Sequence, residues 1–435
     1  MSSPSQILSA LSAPSDLPIL VQSLIISIRP HLSSQTNTNQ TFLPSFTSSL
    51  PLGHESGTVL AVDLGGSTLR VAVIRLEAGK QTLLARKEWG IDDAIRQMEG
   101  GGFLGWVSGR VAEVVVGREG DFIEINGMGL TWSFPIEQTA QGTGRIMKMG
   151  KGFRMWEGME GEDLREKLEA ALRERGITIP LLSLLNDTTA TLLSHAYTSP
   201  RTRIALIVGT GCNAALPLPV ASLAPEKFQD RPLAWMKSAQ FVLVNTEASM
   251  LGGGIFPLTP ADETLDRESE HPGYQPFEQL TSGRYLGEVV RLTLLEAGMK
   301  AEGRWTFPSA LMGAFESDAD GASARFSTLY GTVLGEEEKQ FVADVCKAVA
   351  TRAAAFIAVL LAALYKISGE RGDVVVACCG AVIEKHPSLR GQCQEFLDGI
   401  MGEGRIILEV AEDSGLMGAA VGVVLARDEG GKPRL

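Results

Sequence analysis

Two glycine-rich turns contain the residues best suited to hold a phosphate. The first turn brings an acid, two glycines, two hydroxyls and a cation into one short reversal: Asp63, Gly65, Gly66, Ser67, Thr68 and Arg70. Glycine lets backbone N–H groups approach a phosphate closely, and a carboxylate at a strand end can hold Mg²⁺ through water. An ordinary Gly-Gly hairpin turn with a solvated acid would have the same sequence. The pattern matches neither a dinucleotide loop nor a Walker loop.

The second turn contains Thr210, Gly211 and Asn213. Two such turns, far apart in the chain, favour phosphate binding more than one does, because phosphoryl transfer needs the nucleotide's phosphates held from more than one side. Near the C-terminus, Ser414 and Gly415 open a helix of small residues on which a nucleotide could lie close to the backbone. A helix packed tightly through glycine and alanine explains this last pattern equally well.

One acid has the sequence context of a general base. Asp187 follows the apolar run LLSLL and precedes the helical pattern TTATLLSHAY. An N-cap is the common role of such an acid. The functional alternative is a base at a strand end that takes a proton from an attacking hydroxyl, with Asn186 binding a neighbouring hydroxyl. Surface or capping roles compete with function for four further polar residues: Ser133, Lys151, Glu247 and Glu278.

The elements around these residues predict an α/β fold. Apolar strand-like runs such as TVLAVDLGG and RIALIVGTG alternate with helical patterns over 162–175, 188–197, 283–297 and 336–367. One glycine-rich strand–turn–strand unit in each half indicates two domains with a ligand cleft between them. We predict an N-terminal helix and polar connector over 1–56, a small domain over 57–188 and a large domain over 189–435, with the C-terminal helix returning to the small domain.

Composition excludes several classes of function. With 39 Lys plus Arg against 51 Asp plus Glu, the net charge is −12, which disfavours nucleic acid as a partner. Five cysteines without zinc-like spacing predict neither a disulfide framework nor a cysteine metal site. The apolar stretch 353–365 is shorter than the roughly 20 residues that a membrane span needs, so we predict a buried core helix. We expect no membrane span and a cytoplasmic location.

A family resemblance joins these motifs. The ordered blocks DLGGSTLRV, WSFPIEQ, MGKGF, NDTTATLL, VGTGCNAA, NTE, FEQLTSGRYLGEVVRL, ATRAA, CGAVIEKHPSL and EDSGLMGAA resemble the eukaryotic hexokinase and glucokinase family, from about residue 57 to 426. The resemblance implies an actin-like, ribonuclease H-like fold of two α/β domains that close over a sugar. It also implies ATP and Mg²⁺ as cofactors, a hexose or hexosamine as substrate, and transfer of phosphate to the sugar 6-hydroxyl.

Residue roles follow from the resemblance alone. It implies that Asp187 is the general base and that Lys151 stabilises the transferred charge. It assigns sugar binding to Ser133, Lys151, Asn186, Asp187, Asn213, Glu247 and Glu278. It assigns nucleotide binding to Asp63, Gly65, Gly66, Ser67, Thr68, Arg70, Thr210, Gly211, Gly283, Arg284, Gly380, Ser414 and Gly415, with Asp63 holding the metal through water.

The chain departs from the family pattern at both the expected sugar site and the expected nucleotide site. Gly150 replaces a threonine and Ala248 a tryptophan beside the expected sugar site, which favours a bulkier sugar such as N-acetylglucosamine. Cys379 replaces an aspartate, and residues 414–416 read Ser-Gly-Leu in place of Gly-Ser-Gly. Three functions therefore stay open: an ATP-dependent sugar 6-kinase, which we favour; a sugar-binding regulator that transfers phosphate poorly; and an actin-like ATPase without a sugar substrate.

Overall fold

The computed structural model describes residues 3–33, 41–115, 124–150, 152–228, 231, 235–236 and 239–429. Two compact units divide the chain. The first comprises Met1–Phe42, Leu206–Ala214 and Thr246–Val410, and the second Leu43–Ala205, Ala215–Asn245 and Ala411–Leu435. These interleaved segments differ from the predicted continuous ranges 57–188 and 189–435. A single chain position cannot describe the division, because the chain passes from one unit to the other several times.

The second unit is built on a mixed five-stranded sheet. The strands of the whole unit, within and outside this sheet, are β1 (Leu43–Pro44), β2 (Gly57–Leu64), β3 (Thr68–Glu77), β4 (Lys80–Gly90), β5 (Met128–Trp132), β6 (Ile136–Ala140), β7 (Thr143–Ile146), β8 (Leu181–Leu185) and β11 (Phe241–Asn245). The sheet has the order β4-β3-β2-β5-β8, with β2, β5 and β8 parallel and β3 antiparallel to β2. Six consecutive residues of β2 are buried, as expected for a central strand covered on both faces.

Helices cover this sheet. They are α3 (Asp93–Arg96), α4 (Gly100–Val115), α5 (Leu164–Arg173), α6 (Asp187–Thr198) and α15 (Ser414–Glu429). The C-terminal helix α15 packs on α6 and on β2, β5 and β8. Its approach is close: a Cβ atom at Gly418 would overlap the backbone carbonyl of Ala190, and one at Gly129 would overlap that of Ala419. Glycine at these positions therefore lets the helix backbone reach its neighbours.

The first unit is mainly helical. Its helices are α1 (Pro4–Ala10), α2 (Leu17–Leu32), α7 (Pro260–Arg267), α8 (Pro276–Thr281), α9 (Gly283–Glu296), α10 (Ser309–Ser317), α11 (Ala319–Tyr330), α12 (Glu336–Ser368), α13 (Ala381–Lys385) and α14 (Leu389–Met401). It also holds the parallel pair β12 (Val374–Cys379) and β13 (Ile406–Val410). The remaining strands, β9 (Thr202–Val208) and β10 (Cys212–Pro219), belong to a six-stranded sheet of order β1-β11-β10-β9-β12-β13.

The long helix α12 contains the predicted core helix. By length and composition it is the one described helix that could cross a membrane, and most of its apolar stretch is buried inside the structure. Acidic residues fill its first turn, where the helix dipole favours negative charge, and Gly369 ends it in a left-handed conformation. Core helices of globular proteins can have the same length and apolar composition. Because the apolar stretch of α12 is buried, this helix packs in the core of its unit.

The N-terminal region contains more structure than the sequence predicts. The predicted N-terminal helix is α2, five of whose residues are buried, whereas α1 before it was not predicted. Phe42 is fully buried, and β1 pairs with β11 through Leu43 and Pro44. The polar composition between residues 33 and 57 hides this pairing, because a two-residue strand is too short to give an alternating pattern.

Candidate functional site

One edge of the second unit's sheet brings three predicted site segments together. The parallel strands β2, β5 and β8 end at Leu64, Trp132 and Leu185, and the first glycine-rich turn, Ser133 and Asn186 follow directly. Carboxyl ends of neighbouring parallel strands meet at the same sheet edge, which is where α/β proteins bind ligands. The backbone N–H of Ser133 donates to the carbonyl of Leu64 at 3.2 Å, so this segment is held against the end of β2.

The first glycine-rich turn is fixed by short backbone bonds. Gly65 N–H donates to the Thr68 carbonyl at 3.0 Å, and Ile91 N–H donates to the Ser67 carbonyl at 2.8 Å. The carbonyl of Gly66 accepts from the Arg96 guanidinium at 3.3 Å. Ser67 is exposed, and Gly65, Gly66 and Thr68 are half-buried. The turn therefore has a defined shape and remains accessible to a ligand.

Asp63 is a buried carboxylate at the end of β2. It lies opposite Arg70 in the β2–β3 register, and Arg70 Nη1 donates to Asp63 Oδ2 at 3.0 Å. Burial raises the pKa of Asp63 to about 6, although the Arg70 guanidinium opposes the rise. The negative charges of Asp187 and Asp413 add to the rise in pKa, so these acids lie within electrostatic range of Asp63. Asp63 is therefore paired with Arg70 and lies within electrostatic range of two further acids.

The start of α15 lies against Asp63. A Cβ atom at Gly415 would be 2.7 Å from Asp63 Cγ, and Thr131 Oγ1 donates to the Gly415 carbonyl at 2.8 Å. Ser414 is buried, and its hydroxyl lies 2.9 Å from Thr191 Oγ1 of α6. The Ser414 side chain therefore holds α15 to α6, and Gly415 allows α15 to approach the carboxylate.

An ion-pair ladder beside Asp63 was missed by sequence reasoning. Glu88 Oε2 lies 3.2 Å from both Arg70 Nε and Arg86 Nη2, and Arg86 Nη1 lies 2.7 Å from Asp413 Oδ2. Asp413 has a left-handed backbone with φ of 45°. Strand pairing between β3 and β4 could have been anticipated from the hairpin pattern, but the contact with Asp413 spans more than three hundred residues and has no local signal.

Asn186 and Asp187, at the start of α6, have different structural roles. Asn186 is the N-cap, and its side chain accepts from Thr188 N–H at 2.8 Å. Asp187 is the first helical residue, so the alternative that Asp187 caps the helix is wrong. Its Oδ1 accepts from Thr188 N–H at 2.7 Å and from Thr188 Oγ1 at 3.2 Å. These bonds orient a half-buried carboxylate at the sheet edge.

Backbone hydrogen bonds hold the second glycine-rich turn, in the first unit. Gly209 N–H donates to the Gly211 carbonyl at 2.9 Å, and Gly283 N–H donates to the Gly209 carbonyl at 2.7 Å. Arg284 N–H donates to the Thr210 carbonyl at 3.3 Å. The start of α9 is thus joined to the turn, and Thr210 is exposed at its tip.

Gly380 approaches the same turn from β12. Its φ is 112°, and a Cβ atom there would lie 2.6 Å from the Val208 carbonyl oxygen. A side chain at this position would therefore be excluded by both the backbone conformation and the contact. Gly380 also caps α13, and its N–H donates to Glu384 at 2.6 Å. The structure thus collects the predicted nucleotide residues of this unit around one turn.

The predicted sugar residues of the first unit surround the start of β10. Glu278 Oε2 accepts from Cys212 N–H at 3.0 Å. Asn213 Oδ1 accepts from Ala248 N–H at 3.2 Å, which ties β10 to the segment that follows Glu247. Glu247 has a left-handed backbone with φ of 49°. Polar side chains held by backbone N–H groups in this way are suited to matching several hydroxyls of one ligand.

Lys151 lies outside the described residues. A magnesium ion was predicted through Asp63, and no group of three or more His, Cys, Asp or Glu side chains in the described part of the chain could hold a metal by itself. Mg²⁺ commonly uses one or two carboxylates together with waters and substrate phosphates. Asp63, on which the charges of Asp187 and Asp413 act, fits such a cation in both ligand type and charge when water and phosphate complete the ligands.

The α/β fold, together with the polar residues at the sheet edge of the second unit and at the start of β10, defines a sugar kinase of the two-domain, actin-like class. In a solved structure, a hexokinase from Schistosoma mansoni complexed with glucose, the same fold recurs with a TM-score of 0.82 and 25% identity, over 98% of this chain and 100% of that one. Two hexokinase family models match residues 6–197 and 203–425. The chain belongs to the hexokinase family, and the similarity begins well before the predicted residue 57.

Curated relatives agree with this assignment. Hexokinase-1 of Oryza sativa subsp. japonica is 32% identical over 420 residues, which cover 87% of this chain and 81% of that protein. N-acetylglucosamine kinase 1 of Candida albicans is 28% identical over 463 residues, which cover 95% of this chain and 91% of that protein. The predicted family, fold class and hexokinase-type activity are therefore confirmed.

Proposed function

We propose that the protein transfers the γ-phosphoryl group of ATP to the 6-hydroxyl of a hexose, with Asp187 as the general base. The observation that carries this proposal is the sheet edge of the second unit. There the first glycine-rich turn, Ser133 and Asp187 follow three neighbouring parallel strands, and the charge of Asp187 acts on Asp63. A base and a phosphate-binding turn at one edge are what phosphoryl transfer to a hydroxyl requires.

The proposed reaction assigns each proton and bond. The sugar 6-oxygen attacks the γ-phosphorus, the bond between that phosphorus and the β,γ-bridging oxygen breaks, and ADP leaves with the bond's electron pair. The hydroxyl proton passes to Asp187, whose carboxylate is oriented by the backbone and hydroxyl of Thr188. Positioning and charge stabilisation supply most of the rate in such transfers, because the protein does little covalent chemistry.

Mg²⁺ would be held on the Asp63 side, through water, and would supply neutralisation of phosphate charge. Arg70 contributes a guanidinium beside Asp63, partly exposed and available to a phosphate oxygen. The first glycine-rich turn offers backbone N–H groups for the same purpose. Lys151 is proposed to stabilise the transferred charge.

Sugar recognition is assigned to polar groups in both units. In the first unit these are Asn213, Glu247 and Glu278, and in the second unit Ser133 and Asn186, with Lys151 in addition. A site built to pair buried donors and acceptors with hydroxyls rejects ligands that lack them, since an unpaired buried polar group costs free energy. This supports a hexose over the alternative of an actin-like ATPase without a sugar.

An N-acetylated hexosamine is the more specific candidate substrate. A Cβ atom at Gly150 would have no heavy atom within 4 Å, so space exists there for a larger substituent. Ala248, by contrast, is fully buried. Of the two substituted positions, Gly150 therefore gives the stronger support for a bulkier sugar. The relative named N-acetylglucosamine kinase 1 adds support. Equal or faster turnover of plain glucose would remove this refinement.

A sugar-binding regulator is the second candidate. It is favoured by the nucleotide-side changes, since Cys379 is half-buried in place of an acid and the Ser414 hydroxyl is bonded to Thr191. Loss of one hydrogen bond to a charged phosphate costs on the order of 1.5–3 kcal/mol, or about ten- to a hundredfold in affinity. Turnover at an ordinary kinase rate, on the order of 1–100 per second, would exclude this candidate.

The proposed setting is the cytoplasm, where such a kinase would serve glycolysis, without a nucleic-acid partner or a membrane span. The net charge of −12 supports the lack of a nucleic-acid partner. None of the five cysteines, all of which lie in the described residues, forms a disulfide, and burial raises the pKa of Cys212 and Cys378 to about 12, so these two thiols are unreactive. That chemistry suits a reducing compartment.

The test of this function is an assay of the product as well as of turnover. Purified protein with MgATP would be offered glucose, fructose, mannose and N-acetylglucosamine, with ADP release coupled to absorbance and the product examined by ³¹P NMR. We expect ADP release that depends on sugar and a phosphate ester at carbon 6. ADP release without any sugar would favour the ATPase alternative, and sugar binding without ADP release would favour the regulator.

A further inference from the structure

Asp187 follows the edge strand of the second unit's five-stranded sheet. In the order β4-β3-β2-β5-β8, no further described strand of this sheet lies on the outer side of β8. β8 ends at Leu185, two residues before Asp187. Backbone groups on the outer side of an edge strand have no ladder partner, so other groups must bond to them. The position of Asp187 therefore depends on what covers this edge.

The hairpin of β6 and β7 covers the outer edge of β8. Leu184 N–H donates to the carbonyl of Gln141, in the turn between β6 and β7, at 3.0 Å. A Cβ atom at Gly142 would lie 2.6 Å from the Leu181 carbonyl oxygen, so glycine lets this turn approach the backbone of β8 closely. The hairpin therefore takes the place of part of a neighbouring strand.

The side chain of Gln138, on β6, completes this cover. Its Nε2 donates to the Leu184 carbonyl at 2.7 Å and lies 3.5 Å from the Gln141 carbonyl oxygen. Both backbone groups of Leu184 are thus bonded to the hairpin, one through the turn and one through the Gln138 amide. Leu184 is buried, and a buried carbonyl that loses its donor is costly, so this bond should be well maintained.

A short path joins this bond to Asp187. Only Leu185 and Asn186 separate Leu184 from Asp187 in the chain. Asn186 is extended, with φ of −70° and ψ of 153°, and its side chain caps α6 through Thr188 N–H. Few freely turning bonds therefore lie between the Leu184 carbonyl and the base. An outward shift of the end of β8 would move the start of α6 and the Asp187 carboxylate with it.

We propose that Gln138 is a positioning residue that aligns Asp187 for proton transfer by holding the end of β8. This inference rests on the proposed function, in which Asp187 is the general base. Gln138 acts through the Leu184 carbonyl and needs no contact with either substrate. A displacement of about 1 Å can cost on the order of a hundredfold in rate, because the reacting atoms must be aligned. Loss of the Gln138 amide should therefore slow turnover without weakening binding.

Steady-state kinetics separate positioning from a purely structural role. Gln138→Met keeps the length of the side chain and removes the amide donors. Sugar-dependent ADP release with MgATP would give kcat and KM, with kcat referred to the fraction of protein that binds sugar in calorimetry. Gln81→Met is the matched control, because Gln81 Nε2 also donates to a backbone carbonyl of the same unit, that of Ser194 near the far end of α6, at 3.1 Å.

We expect Gln138→Met to lower kcat by roughly 5- to 50-fold and to change the KM for sugar and for ATP by less than about threefold. Gln138→Glu is a second variant of nearly the same shape, and it should lose at least as much because a carboxylate oxygen would face the Leu184 carbonyl. Gln81→Met should match the wild type. Unchanged kcat in both Gln138 variants would overturn the inference, and so would a raised KM with an unchanged kcat.

A double-mutant cycle tests whether Gln138 acts through Asp187. Transfer of ³²P from γ-labelled ATP to the sugar would measure slow turnover. In the Asp187→Asn chain, Gln138→Met should lower kcat further by less than about twofold, because the base that it positions is gone. An equal loss in both backgrounds would overturn the inference.

The same set of proteins separates this inference from the proposed function. A wild type without sugar-dependent ADP release, or an Asp187→Asn chain as active as the wild type, would contradict the proposed function and this inference with it. Wild-type kinetics in Gln138→Met beside a slow Asp187→Asn chain would overturn this inference alone.

Discussion

The two glycine-rich turns have the same strand–turn–strand arrangement but different electrostatic surroundings. In the second unit, Asp63 is the penultimate residue of β2 and is buried beside Arg70, within electrostatic range of two further acids. In the first unit, the corresponding strand β9 ends in Val208, and its turn is held by backbone bonds to Gly283 and by the close approach of Gly380.

The difference teaches that the units have different tasks. A buried carboxylate, an arginine and an oriented Asp187 can hold a cation and move a proton, whereas an uncharged turn can bind phosphate only through backbone N–H groups and the exposed Thr210 hydroxyl. The first unit instead contributes the side chains of Glu278 and Asn213 at β10, which we propose for sugar recognition. We therefore expect variants in the second unit to affect catalysis and those in the first to affect binding.

The largest expected effect concerns the support of the second unit's site. Gly418→Ala would place a methyl group against the Ala190 carbonyl, where α15 and α6 pack. Because the obstacle is backbone, we expect a loss of about 3 kcal/mol or more in the free energy of unfolding. Thermal unfolding would measure it. Gly399→Ala is the control, because a Cβ atom there meets nothing within 4 Å, and an unchanged melting temperature for Gly418→Ala would contradict the packing.

The next effect comes from the buried charge of Asp63. Its pKa rises from 3.8 to about 6, so between these values the folded chain binds more protons than the unfolded chain. The contribution to stability is therefore greatest below about pH 4 and is lost as pH rises through 6, at a cost on the order of 3 kcal/mol by pH 7.

Asp63→Asn should remove this pH dependence. We expect the variant to be more stable than the wild type near pH 8, with the difference shrinking toward about pH 5. Melting temperatures across this range would measure it, with Asp93→Asn as a control at an acid whose side chain is 93% exposed. A difference that grows toward low pH would refute the assignment.

A smaller effect is expected for recognition in the first unit. Glu278→Gln keeps an oxygen that can accept from Cys212 N–H but removes the charge. Because a hydrogen bond to a charged group is worth about 1.5–3 kcal/mol and only part is lost, we expect a roughly tenfold rise in KM for the sugar with little change in kcat. Steady-state kinetics with saturating ATP would show it. A fall in kcat without a change in KM would break the division of tasks.

The smallest effect is expected at the ion-pair ladder. The Arg86 and Asp413 side chains are 31% and 36% exposed, so their ion pair should contribute less than about 1 kcal/mol. Arg86→Gln should therefore leave the melting temperature nearly unchanged, and salt should weaken the pair further. Lys87→Gln, on the same strand and paired with Glu113, is the matched control. A large loss of stability for Arg86→Gln alone would show that the ladder supports the turn.

Local patterns predicted the elements well, and long-range contacts escaped them. The helical spacing over 188–197 and 336–367 corresponds to α6 and α12, and the glycine-rich turns lie between the expected strands. By contrast, the pairing of β1 with β11 and the contact of Arg86 with Asp413 join distant residues. No local periodicity encodes such contacts, because they depend on how packed elements meet.

The site shows the same limit. Family resemblance assigned roles to Asp63, Asp187 and Glu278, but only the helix cap shows that Asn186 and not Asp187 is the N-cap residue. Ser414 was predicted to contact the nucleotide, and its hydroxyl bonds to Thr191.

The central claim is that the second unit performs the chemistry through Asp187. The most direct measurement is the kcat for sugar-dependent ADP release by the wild type and by Asp187→Asn, which keeps the shape and an acceptor oxygen for Thr188. We predict a fall in kcat of roughly 10²- to 10⁴-fold, with the KM for the sugar changed far less. A kcat within a few-fold of the wild type would contradict Asp187 as the base and the proposed mechanism with it.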